Sequence, residues 1–229
     1  MGVPKDLNKA RNWASKAASA GDAIGEFTLG AMYRDGQGGP RDYGQARAWL
    51  EKAAIQGNAD AQSSLAIMNF AGKGAPKNFE EAERWGRVAA DQGDADAQQL
   101  MGLLYYYGKG VPQDYVEARK WFLKAAQQGH SDAELVLGVM YYEGWGGPKD
   151  NAEARNWFLK SAAQGNADAR SMLQEMNHPR TMVVRRMPNG SASPQQQGCS
   201  LTDTFAAGPW MFKNGGGMIT GMWAANGCH

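Results

Sequence analysis

Small and apolar residues recur along this chain three, four and seven positions apart, the spacing of one helix face, and glycine and proline interrupt them at a fixed interval. A tryptophan marks that interval: Trp13, Trp49, Trp85, Trp121 and Trp157 stand 36 residues apart. Residues 23–58, 59–94, 95–130 and 131–166 are four copies of one unit, preceded by a half copy at 2–22 and followed by a lone first helix at 167–177. Self-similarity at such a period predicts a stacked array of helical pairs across residues 1–177.

Positions within the unit are counted from Ala23, Ala59, Ala95 and Ser131. Positions 1–13 predict a first helix with apolar or small residues at 3, 7, 10 and 11; in the third copy these are Ala97, Met101, Leu104 and Tyr105. Position 8 is Gly30, Ala66, Gly102 or Gly138, small enough to admit a neighbouring helix. A glycine at position 14 ends this helix, and a loop such as Gly108-Lys109-Gly110-Val111-Pro112 follows, its proline holding the chain extended. Position 20 supplies an N-cap (Asp6, Asp42, Asn78, Asp114, Asp150), and Gln45, Glu81, Glu117 or Glu153 follows three residues later, resembling a capping box. The second helix carries alanine at 24 and 31 and the tryptophan at 27. One hairpin cannot bury its own apolar face, so its neighbours must, and the uniform tryptophan column is expected to be core.

A unit such as Ala95-Asp96-Ala97-Gln98, then Leu103-Leu104-Tyr105-Tyr106-Tyr107-Gly108-Lys109-Gly110-Val111-Pro112-Gln113-Asp114-Tyr115, then Ala118-Arg119-Lys120-Trp121-Phe122-Leu123-Lys124-Ala125-Ala126, resembles a Sel1-like repeat. That family is related to tetratricopeptide repeats, and the resemblance covers residues 2–177. It implies an all-α, right-handed α/α superhelical solenoid whose first helices line a concave surface. It also implies a non-enzymatic role as adaptor, scaffold or inhibitor, with a protein or peptide as partner. Similar bacterial proteins are frequently exported and act in envelope signalling, host interaction or immunity to a secreted toxin. This chain departs from the pattern in places. Asn69 replaces the usual Tyr at position 11, and Gly86 replaces a larger residue beside Trp85, so the second copy is expected to be looser. Gln174 and Asn177 stand where Gly and Tyr are usual, as a more polar end helix would have. The repeats lack the cysteines of the cysteine-rich branch of the family.

Positions 5, 9 and 12 lie opposite positions 3, 7 and 10, yet they too are largely apolar. They hold Phe27, Ile67, Phe70, Leu103, Tyr106, Val139 and Tyr142, with Tyr107 beside them at position 13. A helix apolar on both sides is either covered by the next repeat or presents a second surface. Positions 12 and 13, near the helix end, are the better contact candidates, because aromatics with a polar tip anchor interfaces. Arg34, Asp35 and Glu143 would give the groove polar ends. Trp145 stands in the loop Gly144-Trp145-Gly146-Gly147-Pro148, where other copies carry Gln37, Lys73 and Lys109. It either contacts a partner or covers the C-terminal tail. Aromatic faces also stack on sugars, so a cell-wall glycan is the alternative ligand.

After Asn177 the repeat stops. Residues 178–198 read as a linker rich in Pro, Gly, Ser and Gln. Residues 199–229 contain two short apolar runs around Asn214-Gly215-Gly216-Gly217, predicting a small β-hairpin. Cys199 and Cys228 bracket this segment; paired, they would stabilise it by about 3–4 kcal/mol and imply an oxidising compartment, periplasmic or secreted, whereas free thiols would fit the cytoplasm. The tail carries Arg180, Arg185, Arg186 and Lys213 against Asp203.

Charge and chemistry narrow the rest. The net charge of +1 gives no case for nucleic acid, and no apolar run reaches the length of about 18 residues needed for a membrane span. No leader is recognisable, and residues 2–22 start in mid-loop at Gly2-Val3-Pro4, as if downstream of something removed. His130, His178 and His229 form no metal-ligand spacing with the cysteines, and there is no nucleophile elbow or phosphate loop. The sequence therefore implies no enzyme, cofactor or metal, and points to a binding scaffold.

Overall fold

The computed structural model describes residues 6–177, together with the backbone of 212–213 and 217–218. The first stretch folds into ten helices: α1 (Leu7–Ser19), α2 (Ala23–Asp35), α3 (Tyr43–Ile55), α4 (Ala59–Ala71), α5 (Phe79–Asp91), α6 (Ala95–Tyr107), α7 (Tyr115–Gln127), α8 (Ser131–Glu143), α9 (Asn151–Ala163) and α10 (Ala167–Asn177). Even-numbered helices are the first helices of each unit and odd-numbered ones the second. Each packs on its neighbours in sequence, as a solenoid requires.

The caps follow the sequence. Asp42, Asn78, Asp114 and Asp150 each accept a hydrogen bond from the backbone N–H of the residue three further on, Gln45, Glu81, Glu117 and Glu153. The reciprocal half of a capping box is replaced in two copies, where Glu81 pairs with Arg84 and Glu117 with Lys120. Each first helix of the four full copies stops at a left-handed glycine, as at Gly108 with φ of 63°.

Within each hairpin, position 8 meets position 28. A Cβ on Gly102 would lie 2.8 Å from the Phe122 ring, and one on Gly138 would lie 2.6 Å from the Phe158 ring. The second copy solves the same contact with a different pair of sizes. Ala66 takes the glycine column and Gly86 the column of Leu50, Phe122 and Phe158, so a Cβ on Gly86 would sit 3.5 Å from that of Ala66. Gly86 is thus the counterpart of Ala66. A second contact closes each hairpin at its other end: Gln56, Gln92, Gln128 and Gln164 donate to Glu26, Gln62, Gln98 and Glu134, all buried, at 2.7 to 2.8 Å.

Between hairpins, position 25 of one unit meets position 11 of the next. The Arg11 guanidinium stacks 3.8 Å above the Tyr33 ring and that of Arg119 3.7 Å above Tyr141. Where the tyrosine is replaced, the arginine donates a hydrogen bond instead: Arg47 to Asn69 at 2.8 Å and Arg155 to Asn177 at 2.7 Å. Both departures noted in the sequence therefore keep the joint. The loops stack as well. Gly146, at φ of 72°, lies so close to the Tyr115 carbonyl of the preceding hairpin that an added Cβ would approach it to 2.2 Å.

The tryptophan column is not uniformly core. Trp121 and Trp157 are 6% and 8% exposed, Trp49 and Trp85 are half-buried, and Trp13 is 69% exposed. The gradient has a simple cause. Trp49 packs on the cluster of Ala14, Ala18, Leu29 and Met32, and Trp121 on Ala89, Ala90 and Leu100. Each tryptophan therefore lies over the hairpin before it. No described helix precedes α1. The open ring edge is covered by its own helix: Lys52, Lys124 and Lys160 sit over Trp49, Trp121 and Trp157 at 3.8 to 4.0 Å.

In the tail, β1 (Phe212–Lys213) and β2 (Gly217–Met218) pair antiparallel, with Phe212 opposite Met218 and Lys213 opposite Gly217. This pair falls within the segment where the sequence predicts a hairpin. The expected linker and the Cys199–Cys228 pairing lie outside the described residues.

Candidate protein-binding surface

First helices form the inner side of the solenoid. Arg34 of α2 donates to Ser64 Oγ of α4 at 3.0 Å, and α4 packs directly on α6. No two second helices pack as closely among the described residues. The curvature sets what a partner can reach, because only side chains that stay uncovered on the inner helices are available.

The candidate residues divide on that criterion. Leu103 and Val139 are 2% exposed and Tyr106 is 8%. They are core in this chain and not accessible contacts, for one physical reason: the next first helix covers them. Leu103 and Tyr106 pack in one cluster with Val136 and Met140 of α8, and Val139 packs with Ala169 and Met172 of α10. Phe27, Arg34, Ile67, Phe70, Tyr107, Tyr142 and Trp145 keep part of their surface.

The aromatics meet along the edge where the loops cross. Phe70 meets Phe79 edge-on at 5.6 Å, and Tyr106 meets Tyr107, Tyr115 and Trp145 edge-on at 4.9, 5.3 and 5.5 Å. Trp145 stacks on Tyr115 at 6.0 Å with the planes 19° apart. Its place in the repeat now has a structural reason. Lys73 and Lys109, at the same position, reach over Tyr43 and Phe79, so Trp145 is the aromatic form of a recurring inter-repeat contact.

Charge separates by helix type. The first helices α2, α4, α6, α8 and α10 carry nine acidic side chains and two basic ones, Arg34 and Arg170. The second helices α1, α3, α5, α7 and α9 carry twelve basic and seven acidic. The molecule is near neutral overall, but its inner helices are acidic. Of the two inner cations Arg34 is already engaged, its guanidinium forked onto Asp35 at 2.8 and 2.9 Å. That hydrogen bond holds the Asp35 carboxyl below the usual carboxylate range. Burial lifts the Asp94 carboxyl above it, with Asp96 and Asp60 adding repulsion; burial also lifts Asp168, next to Asp132. Tyr142 is pushed up by burial and by Glu175 and Glu143.

One acid is matched across a repeat boundary. His130 caps α8, its Nδ1 accepting from the Ala133 N–H at 3.4 Å, while Nε2 lies 3.0 Å from Asp96 Oδ1. Burial alone would lower the imidazole, but the Asp96 hydrogen bond and the charges of Asp96 and Asp132 outweigh it and raise it. The Asp96 carboxyl is correspondingly lowered by that bond. The acidic bias was present in the sequence, as first-helix acids at positions 2 and 13; counting charge over the whole chain hid it, because the second helices compensate. Among the described residues no group of three or more His, Cys, Asp or Glu is arranged to hold a metal ion, and no helix is long and apolar enough to cross a membrane.

This is the architecture of a helical-repeat solenoid with its first helices on the inner side. The Sel1 repeat family model matches residues 1–22, 23–58, 59–94, 95–130 and 131–166, and the chain belongs to that family. It thus has a scaffold typical of protein–protein interaction, in a family of generally non-catalytic proteins. Among solved structures it is similar to a protective antigen of uropathogenic Escherichia coli displaying an SLR fold, at 39% identity and a TM-score of 0.72 over 78% of this chain and 38% of that one. It is also similar to a Sel1 repeat protein from Oxalobacter formigenes, at 40% identity and a TM-score of 0.67 over 76% of this chain and 50% of that one. An immunity protein from Pseudomonas aeruginosa matches at 17% identity and a TM-score of 0.41 over 70% of this chain and 75% of that one. The chain spans half or less of the length of the first two structures. No curated protein matches it.

Proposed function

We propose that this protein is a non-catalytic scaffold that binds a protein or peptide on its concave face, and that the bound segment is basic. The observation that carries this reading is the charge left uncovered on the inner helices: Asp35, Asp60, Asp96, Glu143, Asp168 and Glu175 against Arg34 and Arg170, whereas Glu26, Asp132 and Glu134 are buried. Acidic side chains held on rigid helices attract a cationic segment at long range, and half-buried Tyr142, Tyr107 and Phe70 supply amphipathic contact area once it arrives. Tyr106, as a core residue, is a poor probe of this role, because its truncation would disturb the fold. Tyr142→Ala combined with Glu143→Gln and Glu175→Gln is the better test. Quantitative affinity capture from bacterial extract should recover partners with the native chain and lose them at least about tenfold with this variant, the equivalent of about 1.4 kcal/mol. Equal recovery by both chains, with equal melting temperatures, would place the binding surface elsewhere.

A finer version is an immunity protein against a secreted toxin, with the chain in the periplasm or outside the cell. Its support is the habit of similar bacterial proteins, and protection from a cognate toxin in a co-expression assay tests it. A glycan-binding role has less support from the aromatic geometry. Sugar stacking needs an open ring face, whereas Trp145 is stacked on Tyr115 and Tyr106 is packed edge-on by three neighbours.

A further inference from the structure

The two outermost helices are the two halves of one repeat. Among the described residues α1 is a second helix with no first helix of its own unit, and α10 is a first helix with no second. We propose that α10 of one copy packs against α1 of another, so that copies of this chain join head to tail through a completed hairpin. The occupant is a second copy because α10 supplies, among the described residues, the first helix that lacks its second.

Three observations converge. First, both halves are uncovered where a hairpin covers them. On α1, Ala10 and Trp13 are exposed and Ala17 is half-buried, whereas Ala118 and Ala125, at the two alanine positions of the third copy, are fully buried. At the other end Ala162, Leu173 and Met176 are half-buried, whereas Ala126, Leu137 and Met140, one unit earlier, are buried. Second, the sizes match. Inside the array position 8 is small and position 28 can be large, as in Gly138 against Phe158. Across the joint that order reverses, because Gln174 at position 8 of α10 meets Ala14 at position 28 of α1. Position 4 meets position 34 in the same way. There Arg170 stands in place of a Gln or Glu, and Ala20 in place of the Gln that binds it, so the shorter side chain again makes room for the longer. Ala20 is also the C-cap of α1, and a guanidinium is favoured at the carbonyl end of a helix. Third, Trp13 gains the seat that its column has elsewhere. Trp121 packs with Ala89 and Ala90 of the preceding second helix, and Trp157 with Ala125 and Ala126. Ala162 of α9 holds that place for Trp13 of the next copy. Such a joint is heterologous: each copy keeps one end of each kind, so the assembly grows with concentration. A single helix pair buries little surface, so joining is weak and the dilute chain is monomeric.

Sedimentation of the full chain reads the joint directly. Its weight-average mass should rise at least about 1.5-fold between roughly 0.01 and 1 mM chain. Ala10→Arg blocks one end and Gln174→Arg the other, each by placing a charge where the joint would bury it. Both sites are exposed in the single chain, so each variant should melt as the native chain does in dilute solution. Each alone should keep the mass of one chain at every concentration. Mixed in equal amounts, the two variants retain one sound end of each kind and should form pairs whose mass stops at two chains. A native mass indifferent to concentration would overturn the proposal, whatever else covers α1. Association that neither substitution reduces, or a mixture that stays as single chains, would overturn it as well, by placing the contact on another surface. The joint involves none of the acidic residues on which partner binding rests, so either proposal can fail while the other stands.

Discussion

One methyl group decides how closely α8 approaches α9. In an exposed helix, Gly→Ala gains about 1 kcal/mol from helix propensity. At Gly138 the new Cβ would sit 2.6 Å from the Phe158 ring, itself fully buried, and overpacking of that kind costs about 1–3 kcal/mol. The clash should win: Gly138→Ala is expected to lower the melting temperature, and a rise would mean that Phe158 moves aside freely. His130 gives stability a pH dependence. Its folded pKa lies above the unfolded value of about 6.5, so its contribution is complete below that value and is lost as pH rises through the folded one. Asp96 is shifted down, so its contribution is present above about 3.9 and is lost as pH falls through its folded value. The pair therefore stabilises most between about pH 4 and 6.5. His130→Asn, which keeps a cap of the type at Asn58 and Asn166, should flatten the fall in stability from about pH 6 to 8; an unchanged slope would locate the titration elsewhere. At this scale the sequence showed that Asn69 and Gly86 were unusual but not why. Asn69 answers Arg47 and Gly86 answers Ala66, partners 22 and 20 positions away that only the fold brings together.

At the scale of the helix, the sequence was most legible. Glycine stops, prolines and N-cap carboxylates are local signals, and each full unit adopts the two helices they predict. The tryptophans were less so, because their burial depends on the hairpin before them. Truncating them should expose that dependence. Trp157→Ala, at a site 8% exposed and packed on Ala125, Leu137 and Met140, is expected to cost about 3–5 kcal/mol. Trp13→Ala, at a site 69% exposed, should change stability by no more than about 0.5 kcal/mol. Chemical denaturation of the two variants measures the difference, and similar losses would mean that Trp13 is covered in solution.

For the whole molecule, the repeat period specified the solenoid and its curvature placed the first helices inside. The candidate site was only partly legible. The sequence found the right helices and the doubly apolar face, but periodicity alone could not tell which residues the next helix would cover, so Leu103, Val139 and Tyr106 counted as contacts and proved to be core. Net charge misled in a related way. A value of +1 averages acidic inner helices with basic outer ones and a basic tail, and only the folded arrangement separates them. A basic segment on a surface so divided would be held through long-range attraction, and binding of that kind is weakened by salt.

The most direct test is a titration of the protein against an arginine-rich peptide at two ionic strengths. Binding is expected at about 0.05 M salt, to weaken at least about tenfold at about 0.5 M, and to weaken again when Glu143 and Glu175 are replaced by Gln. Binding indifferent to salt and to both substitutions, or no binding at the lower salt, would contradict it.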